Sequence, residues 1–337
     1  MKVLAIGDTH FKSSNVPESD DMTSKLVKLA QHINPKFIVL LGDILHTHEK
    51  IHISPLMRAE KLIRLLSEIS PTFVIIGNHD RPNNSTYMTD DHAFNAIKQW
   101  PNTYVVDDKV MDTNIGNHRF LFVPYVFPGM FMDTLTHEQK GVKDPLIDTA
   151  AIFCHQEFLG AKMGMIESKA GDPWDLNNPL IISGHVHDYD RLQPNLIYVG
   201  TPFQHAWGDQ ENKCVSLFTF DKGPNNETIW TEDRIDLGMI KRVIVYITPE
   251  ELHTYEPPTD KLIKLTIRGD SASIAAVRKL EKIKELRNKG VNINFKTIKN
   301  TEEPRKGPIL KMGYKDRFYS EICQDSKQLE WFNNLFT

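Results

Sequence analysis

The sequence has 337 residues, of which 40% are hydrophobic and 25% are charged, and its formal net charge at pH 7 is −4. These values are ordinary for a globular protein with one large domain and a smaller one. No apolar run approaches the roughly 18 residues that cross a membrane, which excludes a transmembrane segment.

The N-terminus and the cysteines indicate the cellular compartment. The first residues run directly into a predicted strand, so we expect no signal peptide. The three cysteines, Cys154, Cys214 and Cys323, are odd in number and far apart. This pattern suits reduced thiols, and we therefore expect a cytoplasmic protein.

Residues 1–100 alternate predicted strands with predicted helices. The strands are Val3–Ile6, Phe37–Leu41 and Phe73–Ile76, and the helices are Asp21–Ile33 and a segment from Ser54 to about Ile69. A βαβαβ order implies right-handed crossovers and parallel strands. Functional sites in such sheets lie at the carboxyl ends of the strands.

Shorter strands follow from residue 103, separated by loops rich in Gly, Pro, Asn and Asp. They are Tyr104–Val106, Phe120–Val123, Ala151–Cys154, Leu180–Ile182, Leu196–Val199 and Val215–Phe220. They predict an α/β fold, an αββα sandwich of two mixed sheets flanked by helices. A small βαβ unit follows, with strand Lys261–Arg268, helix Ser273–Lys289 and strand Val291–Ile298. We expect a catalytic domain over 1–225, a linker and small capping domain over 226–300, and a tail over 301–337.

Charge is distributed unevenly along the chain. Residues 261–317 hold 16 Lys and Arg against 6 Asp and Glu, whereas the remainder holds 24 against 38. An acidic body with a basic accessory domain suits a metal enzyme that grips a phosphate backbone. Arg278, Lys282 and Arg287 are the candidate DNA contacts. A solvated helix face is the alternative interpretation of the same charges.

Four short polar motifs each follow a predicted strand, and together they carry the chemistry. They are Gly7-Asp8-Thr9-His10, Gly42-Asp43, Gly77-Asn78-His79-Asp80 and Gly184-His185-Val186-His187. His155, at the end of a further strand, adds another ligand. Alone, each motif could be a turn, a helix cap or a strand end. Together they predict two divalent cations bridged by Asp43, with a donor set that suits Mn²⁺, Fe²⁺ or Zn²⁺ better than Ca²⁺ or Mg²⁺.

These motifs resemble those of the calcineurin-like metallophosphoesterase superfamily, over roughly residues 1–220. Three further details resemble its SbcD branch of DNA repair nucleases, and the short chain is most similar to phage recombination nucleases of this type. The details are Asp43-Ile44-Leu45-His46, His155-Gln156 and Tyr198-Val199-Gly200-Thr201-Pro202-Phe203.

The resemblance implies a role for each matching position. One metal would be held by Asp8, His10, Asp43 and His187, and the other by Asp43, Asn78, His155 and His185. His79 would act as general acid or transition-state stabiliser, with Asp80 fixing its orientation and protonation, and His46 would contact the phosphate. The other histidines are assigned to surface or structure by default, although His205 lies close enough to the Gly-Thr-Pro run to enter the site.

The leading hypothesis is a Mn²⁺-dependent DNA exonuclease and endonuclease that works with an SbcC-like coiled-coil ATPase in recombination, repair or replication. It would act in the cytoplasm, the host's if the chain is of phage origin. The aromatic tail would bind the ATPase or fold back, and His92–Trp100 would form a homodimer contact. Two alternatives stay open: a stand-alone phosphatase or small-nucleotide phosphodiesterase, and a non-catalytic scaffold.

Overall fold

The computed structural model describes residues 1–138, 146–164 and 166–298. Its strands, in chain order, are β1 (Lys2–Ile6), β2 (Phe37–Leu40), β3 (Thr72–Ile75), β4 (Thr103–Val106), β5 (Met111–Ile115), β6 (His118–Val123), β7 (Thr149–Cys154), β8 (Lys162–Met163), β9 (Ile166–Glu167), β10 (Leu180–Ser183), β11 (Asp190–Gln193), β12 (Leu196–Tyr198), β13 (Val215–Lys222), β14 (Thr228–Ile235), β15 (Lys241–Ile247), β16 (Lys261–Gly269) and β17 (Asn292–Thr297). The α-helices in these ranges are α1 (Val16–Ile33), α2 (Ile53–Ser67), α3 (Phe131–Glu138), α4 (Ser271–Val277) and α5 (Glu281–Asn288). Short 3-10 helices lie at Ser13–Asn15, Asn95–Gln99 and Glu251–His253.

The first sheet has six strands in the order β14-β13-β1-β2-β3-β4. β1 to β4 are parallel, and β13 and β14 extend the sheet in antiparallel fashion. Helices α1 and α2 bury apolar side chains, such as Leu26 and Leu62, against its outer face. Because β1, β2 and β3 run in the same direction, their carboxyl ends meet at one edge of the sheet.

The second sheet has the order β11-β12-β10-β7-β6-β5. β6, β7, β10 and β12 are parallel, whereas the edge strands β5 and β11 are antiparallel to their neighbours. Helix α3 covers its outer face, where Phe131 packs with Leu121 and Ile152.

Aromatic side chains fill the space between the two sheets. Phe73 of the first sheet stacks on Phe122 of the second, with ring centroids 4.0 Å apart, and Phe37 meets Phe153 edge to face at 5.8 Å. Burying each such ring contributes about 1.5–3 kcal/mol of transfer free energy. The resulting helix-sheet-sheet-helix layering confirms the predicted αββα sandwich.

A separate three-stranded parallel sheet has the order β15-β16-β17. Helices α4 and α5 pack on one face of it, where Ile263, Leu265 and Ile267 of β16 meet Ile274 and Leu286 of the helices. This sheet therefore has its own apolar core.

The structure corrects several predicted boundaries. The single helix predicted over Ser273–Lys289 is two helices, α4 and α5, separated at residues 278–280. Helix α2 begins at Ile53, with His52 and not Ser54 in the N-cap position. Residues 228–235, which the prediction placed in a linker, form β14 and pair with β13 along their whole length. Its polar sequence is that of an exposed edge strand, so it gave no clear apolar alternation.

The tail over 301–337 lies outside the described residues. Within the described ranges, no helix is both long enough and apolar enough to cross a membrane.

Candidate metal centre

Polar side chains converge where strands of the two sheets end. Asp8 follows β1, Asp43 follows β2 and Asn78 follows β3, while His155 directly follows β7 and the His185 loop follows β10. The fold thereby brings together the seven proposed ligands, which are Asp8, His10, Asp43, Asn78, His155, His185 and His187.

The first ligand group, group A, consists of Asp43, Asn78, His155 and His185. His155 Nε2 lies 3.3 Å from Asp43 Oδ1 and 3.1 Å from Asn78 Oδ1. His185 Nδ1 lies 3.1 Å from Asn78 Oδ1 and 3.3 Å from His155 Nε2. Ligands held about 2.1 Å from one cation lie about 3.0–3.4 Å from one another, depending on the coordination geometry. The spacing of group A therefore fits a divalent cation.

The second group, group B, consists of Asp8, His10 and His187, with the free oxygen of Asp43 beside it. The Nε2 atoms of His10 and His187 are 2.9 Å apart. Asp8 Oδ2 lies 3.9 Å from His187 Nε2, and Asp43 Oδ2 lies 3.8 Å from His10 Nε2. Asp43 thus offers Oδ1 to group A and Oδ2 to group B, which is the arrangement that a bridging carboxylate needs.

Neighbouring groups fix the orientation of the ligands. His155 donates its Nδ1–H to the carbonyl of Leu41 at 2.7 Å, so Nε2 is the nitrogen that faces group A. The carboxylate of Asp8 accepts a hydrogen bond from the backbone N–H of His185 at 3.1 Å. The main-chain carbonyl of Asp8 accepts a hydrogen bond from His205 Nε2 at 2.9 Å. Such outer partners select the tautomer and the direction of metal ligands.

Two glycines allow the strand ends to approach this closely. A Cβ on Gly42, whose φ is +95°, would lie 2.5 Å from His155 Nδ1, and one on Gly77 would lie 2.3 Å from the backbone nitrogen of Asp43. Three ligands themselves adopt left-handed backbone conformations: His10 (φ 42°), Asp43 (φ 47°) and His185 (φ 79°). Non-glycine residues rarely adopt this region, and such strain is concentrated at functional sites.

Buried carboxylates and imidazoles set one another's charge in the centre. Burial lowers the pKa of His155, but the carboxylates of Asp43 and Asp8 outweigh that effect and raise it to about 9. Burial opposes ionisation of Asp43, yet His155 holds the pKa of this carboxyl well below its usual range. Burial raises the pKa of Asp8 to about 7 and lowers the pKa of His185 to about 3. His185 is therefore a neutral ligand at neutral pH.

These shifts predict that divalent cations bind more weakly as the pH falls. Without metal, Asp8 holds a proton below about pH 7 and His155 holds one below about pH 9. A cation displaces both protons, so affinity should fall up to about tenfold per proton for each pH unit below these values. Titration calorimetry of Mn²⁺ binding, in buffers of different ionisation enthalpy, measures both the affinity and the protons released. Affinity that stays constant between about pH 6 and 8 would contradict this prediction.

His79 lies beside both groups but belongs to neither. Its Nδ1–H donates to the carbonyl of His46 at 2.8 Å, and its Nε2 lies 4.0 Å from Asp43 Oδ2. The side chain is 30% exposed and borders the cleft. His48, assigned by default to the surface or to a structural role, stacks on the His79 ring with centroids 4.5 Å apart.

The expected contact between Asp80 and the imidazole of His79 is wrong. The buried carboxylate of Asp80 accepts the backbone N–H groups of Ile44, Leu45 and Gly77 at 3.2, 2.8 and 3.0 Å. Asp80 therefore joins the loops after β2 and β3, and the His46 carbonyl orients His79 instead. Burial raises the pKa of Asp80 to about 7.

Two more histidines, His46 and His205, lie beside His10 of group B. His46 Nδ1 lies 3.4 Å from His10 Nδ1, and the His46 ring is parallel to that of His79 at 5.9 Å. His205, which the sequence left open, is buried and contacts His10 edge to face at 5.1 Å while it binds the carbonyl of Asp8. His205 therefore lies in the site as a support for ligands.

The three candidate DNA contacts lie on the helical side of the three-stranded sheet, apart from the metal centre. Arg278, at the end of α4, covers the ring of Phe295, with its guanidinium carbon 4.9 Å from the ring centroid. Lys282 forms an ion pair with Glu256 at 2.5 Å. Arg287 is exposed in the last turn of α5.

A cleft of ≈ 340 Å³ opens onto the centre. Asp43, Asn78, His79, His185 and His187 line it. Lys162, in the β8–β9 hairpin, and Asp209 also line the cleft, and sequence reasoning assigned neither of them. In the sequence, Asp209 could be associated with the site only through its place a few residues beyond the Gly-Thr-Pro run.

Known proteins are similar to this chain over much of its length. The family described as "Calcineurin-like phosphoesterase" matches residues 1–189. Phosphoesterase 244L of Invertebrate iridescent virus 6, a provisional name, is 36% identical over 82% of this chain and 97% of its own. Phosphoesterase 078R of Invertebrate iridescent virus 3, also provisionally named, is 35% identical over 90% of this chain and 86% of its own.

A solved structure of Yfce, a phosphoesterase from E. coli, aligns with 70% of this chain and all of its own at 11% identity and a TM-score of 0.33. The family match covers the five strands after which the ligands lie, β1, β2, β3, β7 and β10. The chain belongs to the calcineurin-like phosphoesterase family.

Proposed function

We propose that the chain is a Mn²⁺-dependent DNA nuclease that hydrolyses phosphodiesters and has both exonuclease and endonuclease activity. The observation that carries this proposal is a sheet face with basic and amide side chains, whose first strand is hydrogen-bonded to a loop beside the metal centre. Hydrolysis of phosphoesters follows from the family, and the sheet face supports a polyanionic substrate.

In the proposed mechanism groups A and B would bind the cations, and His79 would donate a proton or hydrogen bond. When bound, two divalent cations would supply Lewis-acid charge to the phosphate oxygens and acidify water at the centre. Asp43 holds groups A and B at a fixed separation, and the buried protein frame keeps their nitrogens and oxygens convergent. His79 Nε2 faces the cleft, where a protonated imidazole can donate to the leaving oxygen.

The face of the three-stranded sheet opposite α4 and α5 is basic and amide-rich. In the register of β16 and β17, Lys264 lies opposite Asn292 and Arg268 lies opposite Lys296. Asn294 lies between Asn292 and Lys296 on β17. Alternate residues of a strand point to opposite faces, so these five side chains lie opposite the apolar residues that meet α4 and α5. Asn292, Asn294 and Lys296 are exposed, whereas Lys264 is half-buried and Arg268 is half-buried over the ring of Tyr246. Such a face can bind a phosphate backbone without reading its sequence.

This face is joined to the metal centre at the start of β15. The backbone N–H of Arg242 donates to Gln204 Oε1 at 2.7 Å, and its carbonyl accepts from Gln204 Nε2 at 3.1 Å. Gln204 precedes His205, whose imidazole binds the carbonyl of Asp8. The side chain of Arg242 pairs with Glu18 of α1. In this proposal a DNA strand bound across the sheet face therefore continues into the cleft.

In this proposal the chain acts as the nuclease subunit of an SbcCD-like complex in recombination, repair or replication. The tail over 301–337 would bind the coiled-coil ATPase, and His92–Trp100 would form the homodimer contact. The complex would work in the cytoplasm of the host cell.

The cleft volume favours one alternative, a small-nucleotide phosphodiesterase or phosphatase. A space of ≈ 340 Å³ is enough for a single nucleotide, so a short substrate fits as well as the end of a polymer.

The test is hydrolysis of DNA by the purified full chain with Mn²⁺. We expect linear double-stranded DNA to release soluble nucleotides, and a chelator to abolish the release. Covalently closed circular DNA reports endonuclease activity separately, because it has no ends. Turnover of nucleotide monoesters or small diesters without hydrolysis of DNA, even after the candidate ATPase is added, would establish the alternative.

A further inference from the structure

The β8–β9 hairpin forms one wall of the metal cleft. Its strands pair Lys162 with Glu167 and Met163 with Ile166. Lys162 lines the same cleft as Asp43, His79 and His187, although none of the roles assigned above includes it. The hairpin therefore places a cation in the space where substrate must bind.

The base of the hairpin is tied to the loops that carry ligands. The backbone N–H of Ser168 donates to the carbonyl of Ala161 at 2.8 Å, and the Ser168 hydroxyl donates to Glu157 Oε1 at 2.5 Å. Glu157 is two residues beyond His155, and its second oxygen lies 4.0 Å from His185 Nε2. These hydrogen bonds fix the backbone of the hairpin, and therefore of Lys162, relative to group A.

The ammonium of Lys162 is available to a ligand. The side chain is exposed, and within the described ranges no hydrogen bond or ion pair engages its Nζ, although Glu167 lies opposite it in the hairpin. Lys213, another lysine near the centre, is in contrast committed to Asp188 at 2.6 Å. A lysine ammonium is a compact point charge that suits a phosphate oxygen.

Lys162 is suited to a phosphate other than the one that is hydrolysed. The two ligand groups and His79 surround the position of the scissile phosphate, and no described contact joins Lys162 to any of them. Lys162 belongs to a separate wall of the cleft of ≈ 340 Å³, so a single nucleotide bound there can present its second phosphate to this wall. Neighbouring phosphates of a polynucleotide present one charge per nucleotide to such a wall.

We propose that Lys162 binds the phosphate next to the scissile one and so makes the enzyme prefer a chain of nucleotides over an isolated diester. This inference rests on the proposed nuclease function for its substrate class. Lys162 is accordingly a substrate-binding residue that determines specificity, and the metal centre works without it.

The test compares dinucleotides that differ only in a flanking phosphate. Thymidylyl-thymidine has one phosphate, and its 5′- and 3′-phosphorylated forms have two. We expect Lys162→Ala to lower kcat/KM about tenfold on one of the two phosphorylated forms, mainly through KM, and to leave the unphosphorylated form unchanged. Lys162→Arg should retain most of the preference. Lys169→Ala, which removes an exposed lysine just beyond the hairpin, is the matched control.

Two results would overturn the inference. Equal losses on all three dinucleotides would place Lys162 on the scissile phosphate, and no loss relative to Lys169→Ala would remove it from substrate binding. Turnover of bis(p-nitrophenyl) phosphate reports a working centre independently. If that turnover is normal and DNA is not cleaved even with the candidate ATPase, the nuclease proposal fails, while the dinucleotide comparison still decides the role of Lys162.

Discussion

Replacing Asp43 with asparagine is expected to abolish phosphodiester hydrolysis, with a loss of about a thousandfold or more. Asp43 directs one oxygen to each ligand group, so an amide at this position removes a ligand and a negative charge from the bridge between them. The positive charge that the cations bring to a phosphate is worth several kcal/mol, and each 1.36 kcal/mol is tenfold in rate. Metal content, measured by elemental analysis, should fall from about two ions per chain to one or none.

Thermal unfolding separates loss of metal from loss of fold in this variant. Asp43 repels the carboxylates of Asp8 and Asp80 but attracts the imidazolium of His155, so its removal has opposing effects on the stability of the metal-free protein, and the variant should remain folded. Mn²⁺ should raise the melting temperature of the parent and leave that of the variant unchanged. Asp20→Asn, which alters an exposed aspartate paired with Arg58, is the matched control. Full metal content in Asp43→Asn would rule out the bridge.

The ligand positions could be predicted from the sequence because each follows an apolar strand directly. A buried parallel strand fixes where its carboxyl end lies, and Asp8, Asp43 and Asn78 lie two or three residues beyond such an end. The division of the ligands into two groups needed the resemblance, because His185 and His187 are only two residues apart but join different groups. Spacing alone does not divide them.

Other features of the site depend on tertiary contacts that have no periodic signal. The stacking of His48 on His79 and the place of Lys162 on the cleft wall arise from loops and from a hairpin with two-residue strands. The family resemblance implied that Asp80 orients its neighbour His79. Its carboxylate instead accepts hydrogen bonds from the buried backbone N–H groups of two loops, because an unpaired buried donor costs about 1–3 kcal/mol.

Replacing His79 with alanine is expected to lower kcat for DNA by about a hundred- to ten-thousandfold while both metals stay bound. His79 contributes no atom to either ligand group, and its Nδ1 is engaged by the His46 carbonyl. The free Nε2 is therefore the atom that can protonate or stabilise the leaving oxygen. Elemental analysis should show unchanged metal content, which distinguishes this variant from Asp43→Asn.

The leaving group decides which role His79 has. A p-nitrophenyl ester of thymidine 5′-phosphate expels an oxygen that needs no proton, so a general acid would be nearly dispensable for it. If His79→Ala loses far more activity on DNA than on this ester, His79 acts as the acid; equal losses indicate charge stabilisation of the phosphate. His32→Ala, at an exposed position in the last turn of α1, should behave as the parent on both substrates. If His79→Ala matches His32→Ala on DNA, then catalysis does not pass through this imidazole, and the convergent groups A and B carry the reaction with another proton donor at the cleft.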